Sequence, residues 1–279
     1  MATIFSKQLA LFLAAVFTYF AVRGVTEGGE GVANRNADRL LTLEQRLGVD
    51  FEERLQEALL DNQWIVDVAN WIYIWLHWPV IGATLVWLVA RHRDVFFELR
   101  NAIFISGFIG FFIFAFFPVA PPRLFGVEYV DTVTEHSSAY RVLQPPGLVN
   151  KFAALPSLHF GWNLLIGIAW YNASRTRRTL VAAILMPVGM AFAVVATANH
   201  WTLDVLAGGV VALTGLALER ARQHVLESRR ERQASSLGDV IGRRKRSRPM
   251  GESAPTRGAC PVSDRAPRTA STCTHLYKS

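Results

Sequence analysis

The sequence predicts an all-α fold, a polytopic membrane bundle of six transmembrane helices, and three observations predict it. Of 279 residues 51% are hydrophobic and only 18% charged, below the roughly 25% usual in soluble domains. Six long, nearly uncharged runs succeed one another over the first 218 positions. The formal charge of +7 is concentrated, with residues 220–279 carrying a net +9 and the rest of the chain a net −2. That placement speaks against nucleic acid as a partner and for a basic flank on an apolar body.

A bilayer core of about 30 Å needs about 20 apolar helical residues. Residues 5–22 form the first run; a cleaved signal peptide is the rival reading, but the basic flank is Lys7 alone and no small-residue cleavage site follows. The loop at residues 24–63 is acidic, with four arginines against nine carboxylates. Within it Leu43, Leu47, Phe51, Leu55 and Leu59 recur every four residues. Asp50 and Glu53 have the spacing of a capping box, so an amphipathic helix is expected over 38–63. It would lie on the outer membrane surface or on the protein's own outer loops. The remaining runs are 64–90, 103–117, 157–173, 180–198 and 203–218.

Arginine near the span ends sets orientation. Arg91, Arg93 and Arg100, then Arg175, Arg177 and Arg178, then the segment from Arg220 onward all fall on one side of a six-span plan. That side is read as cytoplasmic, with both termini, and the acidic loop as extracytoplasmic. A multi-pass protein of the plasma membrane is expected. The organisation is then residues 1–37, the first span and start of the outer loop; 38–63, the amphipathic helix; 64–219, a five-span catalytic domain; and 220–279, a basic tail read as structureless from about Glu227. Cys260 and Cys273 both lie in the tail and form no zinc or disulfide framework.

Three short segments converge on the extracytoplasmic face. They are Phe117-Pro118-Val119-Ala120-Pro121-Pro122-Arg123, Leu155-Pro156-Ser157-Leu158-His159, and Asn199-His200-Trp201-Thr202-Leu203-Asp204. Ionisable groups at membrane depth are costly and mark function. His200 and Asp204 are four residues apart, so on a helix the carboxylate can orient the imidazole and leave its other nitrogen as nucleophile or base. His159 supplies a second imidazole to protonate a leaving group. Phosphate suits such a site: Ser157 and Asn199 are candidate N-caps of two helices whose amides would face one anion. Arg123 can contact phosphoryl oxygens, with Arg141 and Lys151 as further loop candidates. His77, His92 and His136 are read as non-catalytic, and the tryptophans as interface anchors and packing.

In combination, Ser157-Leu158-His159, His200 with Asp204 and the upstream Pro-Pro-Arg segment resemble the membrane phosphatidic acid phosphatase type 2 superfamily. The wording of the first two segments is most similar to its inositolphosphotransferase branch, which includes fungal inositol phosphorylceramide synthase. The resemblance covers about residues 103–218 and implies cofactor-free, metal-independent transfer in two steps. It implies His200 as the nucleophile forming a phosphohistidine, Asp204 as its orienting group, His159 as the acid, and a lipid phosphate or phospholipid as substrate. The sequence departs from the phosphatase pattern in three places: Leu124 follows Arg123 where proline is usual, Ala193 and Val194 stand where Ser-Arg precedes the nucleophile, and Leu158 replaces a glycine. Fewer phosphate-binding arginines favour a transferase or a diester substrate, and hydrolase versus transferase stays open. A transporter and a metal-dependent hydrolase are the rival classes. Mid-span charge and matched Gly/Pro breaks, expected of the former, are weak here, with Pro79 and Pro187 forming no repeat. A fuller His, Cys or carboxylate cluster, expected of the latter, is absent from the sequence pattern.

Overall fold

Pro79 breaks the second apolar run. Lacking an amide hydrogen and crowding the carbonyl four residues back, proline ends a helix at about that position, and helix α3 (Gln63–Trp75) stops at Trp75. Helix α4 (Trp78–Arg91) resumes with Pro79 in its first turn, bent by 44° from α3 across Leu76 and His77. The run expected as one span is therefore a bent pair of helices, and its break carries a buried histidine.

This computed structural model describes residues 29–126, 128–136 and 150–246, with side chains described except at residues 135–136 and 236–246. Ahead of α3 lie α1 (Glu30–Leu47) and α2 (Glu52–Leu60). After α4 come α5 (Arg93–Phe116), the short α6 (Pro122–Phe125) and α7 (Thr132–His136), then α8 (Leu158–Ser174), α9 (Arg177–Ala196) and α10 (Thr202–Arg246). No strand occurs among the described residues; Val119 and Ala153 form an isolated parallel bridge. The chain divides into two compact units, Met1–Ser228 and Arg229–Ser279. The expected first span, Arg141 and both cysteines lie outside the described residues.

The amphipathic segment is two helices rather than one, and it starts at Glu30 rather than residue 38. Gly48, with φ of 68°, takes the left-handed conformation that glycine adopts most readily, and its amide and that of Val49 close the end of α1 on Gln45 and Glu44. The Asp50/Glu53 capping box does not form: the N-cap of α2 is Phe51, with no side-chain cap bond. The leucine stripe is not the packing face of α1 either. Ala33, Ala37, Leu40 and Glu44 are buried, whereas Leu43, Leu47 and Phe51 are exposed. The tail also differs from expectation, because α10 continues to Arg246. Its Arg, Glu, Gln, Leu and Ala content favours helix, and Glu219 accepts from Arg222 and Gln223 one turn on.

Among the described residues three helices are long and apolar enough to cross a membrane, α5, α9 and α10 through Ser235, or four if the bent α3–α4 pair counts as one. Helix α8 has 17 residues, about 26 Å at 1.5 Å per residue. Exposed Trp64, Trp71, Phe108, Phe112, Val181, Leu185, Leu206 and Val210 give these helices apolar outer faces, as lipid-facing surfaces require. Inside, Leu88, Phe96, Leu99, Leu165, Ile166 and Leu216 join α4, α5, α8 and α10 in one core.

Helices α8 and α10 approach backbone to backbone, which fixes the site described next. A Cβ on Gly161 would meet the Gly208 carbonyl oxygen at 2.5 Å, and a Cβ on Gly208 would overlap the Ser157 carbonyl oxygen. Only glycine admits this distance. The Ser157 amide also donates to the Asp204 carbonyl at 2.8 Å, tying the start of one helix to the first turn of the other.

Candidate active site

Ser157 caps α8 as expected: its Oγ accepts from the Phe160 amide at 3.4 Å and the residue is fully buried. The cap sets His159 in the first turn of α8. Its Nε2 is buried and makes no hydrogen bond, an arrangement that costs about 1–3 kcal/mol unless a ligand completes it.

His200 lies on the turn between α9 and α10. The amides of Asn199 and His200 both donate to Val194 O at 3.0 Å, and Ala198 takes a φ of 53°. Left-handed backbone costs a non-glycine residue about 1–2 kcal/mol, and such strain gathers at functional sites. The turn buries His200 and places its ring 5.6 Å from that of His159, centroid to centroid.

The orienting bond of His200 comes from an unexpected quarter. Its Nδ1 is 2.8 Å from the Ala154 carbonyl oxygen and 3.4 Å from Asp204 Oδ2. A carbonyl only accepts, so Nδ1 carries the proton and Nε2 keeps its lone pair. Ala154 is held in place by the small bridge: Val119 N–H donates to Phe152 O at 2.8 Å and Ala154 N–H to Val119 O at 3.3 Å. The Asp204 carboxylate chiefly accepts the Trp201 amide at 2.8 Å, and its Oδ1 is buried without a partner. Asp204 is thus a second, longer contact to the ring and a cap for its own helix.

Arg123 enters from α6. Its Nε donates to Asn199 Oδ1 at 2.8 Å, its Nη1 pairs with Asp131 at 3.3 Å, and its amide donates to Ala198 O at 2.9 Å. Arg123, His159, His200 and Asp204 therefore meet around one turn. Lys151 does not join them among the described contacts; it is exposed in the turn after Asn150.

The expectation of two open helix N-termini is corrected. Asn199 does not cap α10, since its side chain holds Arg123 and Thr197 instead. The amides of Thr202 and Leu203 at the start of α10 donate to Glu52 Oε1 at 2.6 Å and Glu44 Oε1 at 2.7 Å. Two buried acidic side chains, from α1 and α2, occupy the position an anion would take at that helix start. Burial, then the Glu52 and Asp204 charges, push the Glu44 carboxyl up to about 8 against the opposing Leu203 bond. These acids are some 150 residues distant in sequence from their partners, so spacing held no sign of them.

His77, read from the sequence as non-catalytic, packs beside the site residues. At the α3–α4 break it is 3% exposed, with its ring 4.2 Å from that of His159. Asn163 Nδ2 donates to the His159 carbonyl at 2.7 Å and lies 3.4 Å from His77 Nδ1. Tyr73 stacks on His159 at 4.7 Å. The one available signal was a histidine beside Trp78-Pro79 within an otherwise apolar run. Among the described residues no three His, Cys, Asp or Glu side chains are grouped to hold a metal ion.

Helical throughout its described secondary structure, with several membrane-length helices, a buried pair of imidazoles and an arginine from α6 bonded to the turn that carries one of them, the protein has the equipment for phosphoryl transfer. The PAP2 superfamily matches residues 38–218, and the chain belongs to that superfamily. Its members are phosphatases and phosphotransferases. Comparison with curated proteins and with solved structures gives no match.

Proposed function

We propose that this protein is a six-span membrane enzyme that moves a phosphoryl or phospho-alcohol group from a lipid phosphate or phospholipid, through a phosphohistidine, at the extracytoplasmic face. The observation that carries the reading is the His200 ring, whose Nδ1 is held at 2.8 Å by a carbonyl while Nε2 is left for attack, with His159 at 5.6 Å.

In the first step the Nε2 lone pair of His200 attacks phosphorus. The bond from phosphorus to the leaving oxygen breaks with its electron pair, and His159 gives that oxygen its proton. In the second step water or an acceptor hydroxyl attacks the phosphohistidine and passes its proton to His159. The electron pair of the N–P bond returns to Nε2. Asp204 stabilises the ring charge, Arg123 neutralises phosphoryl oxygens, and the capped start of α8 at Ser157 adds amides directed at the anion. Arg141 and Lys151 are candidate contacts to the lipid head group. No cofactor takes part in these steps. The Phe117–Arg123 and Pro156–His159 segments support the inositolphosphotransferase branch and hence a diester product.

Incubating purified protein with labelled lipid phosphates, with and without alcohol acceptors, tests this. Free phosphate identifies a hydrolase and a new phosphodiester a transferase, and both must vanish in His200→Ala. Undiminished turnover in that variant would sink the nucleophile assignment. Flux of substrate across vesicles without any phosphoryl product would make the protein a transporter.

A further inference from the structure

We propose that Asn199 is a positioning residue for phosphate binding, acting through Arg123 to hold its guanidinium beside the nucleophile's own turn. The role rests on the phosphoryl-transfer reading above. It replaces the helix-capping role that the sequence pattern suggests for this residue.

Asn199 is 4% exposed, and both ends of its amide are engaged. Its Nδ2 donates to the Thr197 carbonyl at 3.2 Å and to Thr197 Oγ1 at 2.9 Å. Thr197, fully buried, donates its own hydroxyl proton to Ala193 O at 2.7 Å. A backbone carbonyl only accepts, so the NH2 must face Thr197 and the amide oxygen must face Arg123. That oxygen accepts from Arg123 Nε at 2.8 Å. Arg123 is thereby tied through two residues to the last turn of α9.

Three consecutive residues share the task. Ala198 O accepts the Arg123 amide, Asn199 Oδ1 accepts Arg123 Nε, and His200 follows directly, with the amides of Asn199 and His200 both locked on Val194 O. The guanidinium and the imidazole are referenced to one strained turn, so their separation is set locally. Positioning at this accuracy is what phosphoryl transfer requires of its surroundings.

The choice of amide over carboxylate matters chemically. An aspartate at 199 would hold Nε as well but would neutralise the guanidinium; the amide leaves the positive charge for the substrate. The Nη edge meets the Asp131 carboxylate at 3.3 Å, a longer contact than the Nε bond, between side chains 12% and 21% exposed. A phosphoryl oxygen competes for that edge while Asn199 retains Nε. The ligand class is thus an oxyanion with several acceptors on one centre, a phosphomonoester or phosphodiester.

A double-mutant cycle separates this role from a merely structural one. Full-length wild type, Asn199→Ala, Arg123→Ala and the double variant are assayed on phosphatidic acid in mixed micelles. Asn199→Ala should lower kcat/KM about 10- to 100-fold, the worth of a hydrogen bond to a charged group. In the Arg123→Ala background the same change should matter less than about 2-fold. Thr197→Val should give a smaller loss that also vanishes without Arg123, and it decides the question by the same criterion should Asn199→Ala not fold. Multiplicative losses, or wild-type kcat/KM in Asn199→Ala, overturn the proposal and leave the phosphohistidine mechanism standing. A wild-type protein that turns over no lipid phosphate overturns both.

Discussion

His200 Nδ1 lies closer to the carbonyl oxygen of Ala154, at 2.8 Å, than to the carboxylate of Asp204, at 3.4 Å. Because the carbonyl cannot donate, the proton sits on Nδ1 and only Nε2 can attack. A trapped phosphoenzyme should therefore carry phosphate on Nε2 alone. Protein quenched in alkaline denaturant, which preserves the acid-labile P–N bond, and analysed by phosphorus NMR or with isomer-selective antibodies checks this; phosphate on Nδ1 would show that the Ala154 bond does not govern the ring.

In the proposed mechanism Asp204, 3.4 Å from the ring, contributes charge more than orientation. Asp204→Asn preserves an acceptor for the Trp201 amide and leaves the Ala154 bond untouched, so the protein should fold. Without the negative charge the imidazolium-like character that develops at His200 during attack is unsupported. The expected result is a fall in kcat of about 100-fold or more with KM changed less than about threefold. A fall confined to KM would assign Asp204 to binding instead.

Much of the site was legible in the sequence, because its parts are short segments at span ends. Arg123, Ser157, His159, His200 and Asp204 come together, as the convergence of their three segments suggests. What was not legible depends on partners far along the chain. Asn199 reads as a helix cap by local rules, and only the arrival of Arg123, 76 residues upstream, gives it another task. Glu44 and Glu52 belong to an acidic loop with no local sign of burial, yet both cap α10. His77 carries no signal by local rules, and its place beside His159 follows from the helix break at Pro79. The expected phosphate cradle of two open N-termini failed for the same reason: one was already filled by acidic side chains.

Glu44 makes stability depend on pH. Its folded-state carboxyl is pushed up to about 8 by burial, from an ordinary value of 4.5. Between those values the folded state holds a proton that the unfolded chain has lost, so stability falls as pH rises from 4.5 to 8 and then levels. Glu44→Gln keeps an oxygen for the Leu203 amide and removes the ionisation. It should melt above wild type at pH 8 and show a flatter Tm between pH 5 and 8. Parallel curves for the two proteins would mean that Glu44 ionises freely in the fold.

Gly208 tests whether the site depends on the contact between α8 and α10. A single added methyl would overlap the Ser157 carbonyl, which is backbone and cannot swing away. The helices must then part, stretching the Ser157 amide to Asp204 carbonyl bond of 2.8 Å and moving His159 away from His200. Overpacking of this kind costs about 1–3 kcal/mol, and a misplacement near 1 Å costs about 100-fold in rate. Gly208→Ala should therefore lose activity out of proportion to its drop in Tm. Gly189, where an added Cβ meets nothing within 4 Å, is the control, and Gly189→Ala should retain wild-type turnover. Equal activity in the two variants would show that the spacing of α8 and α10 does not set the catalytic geometry.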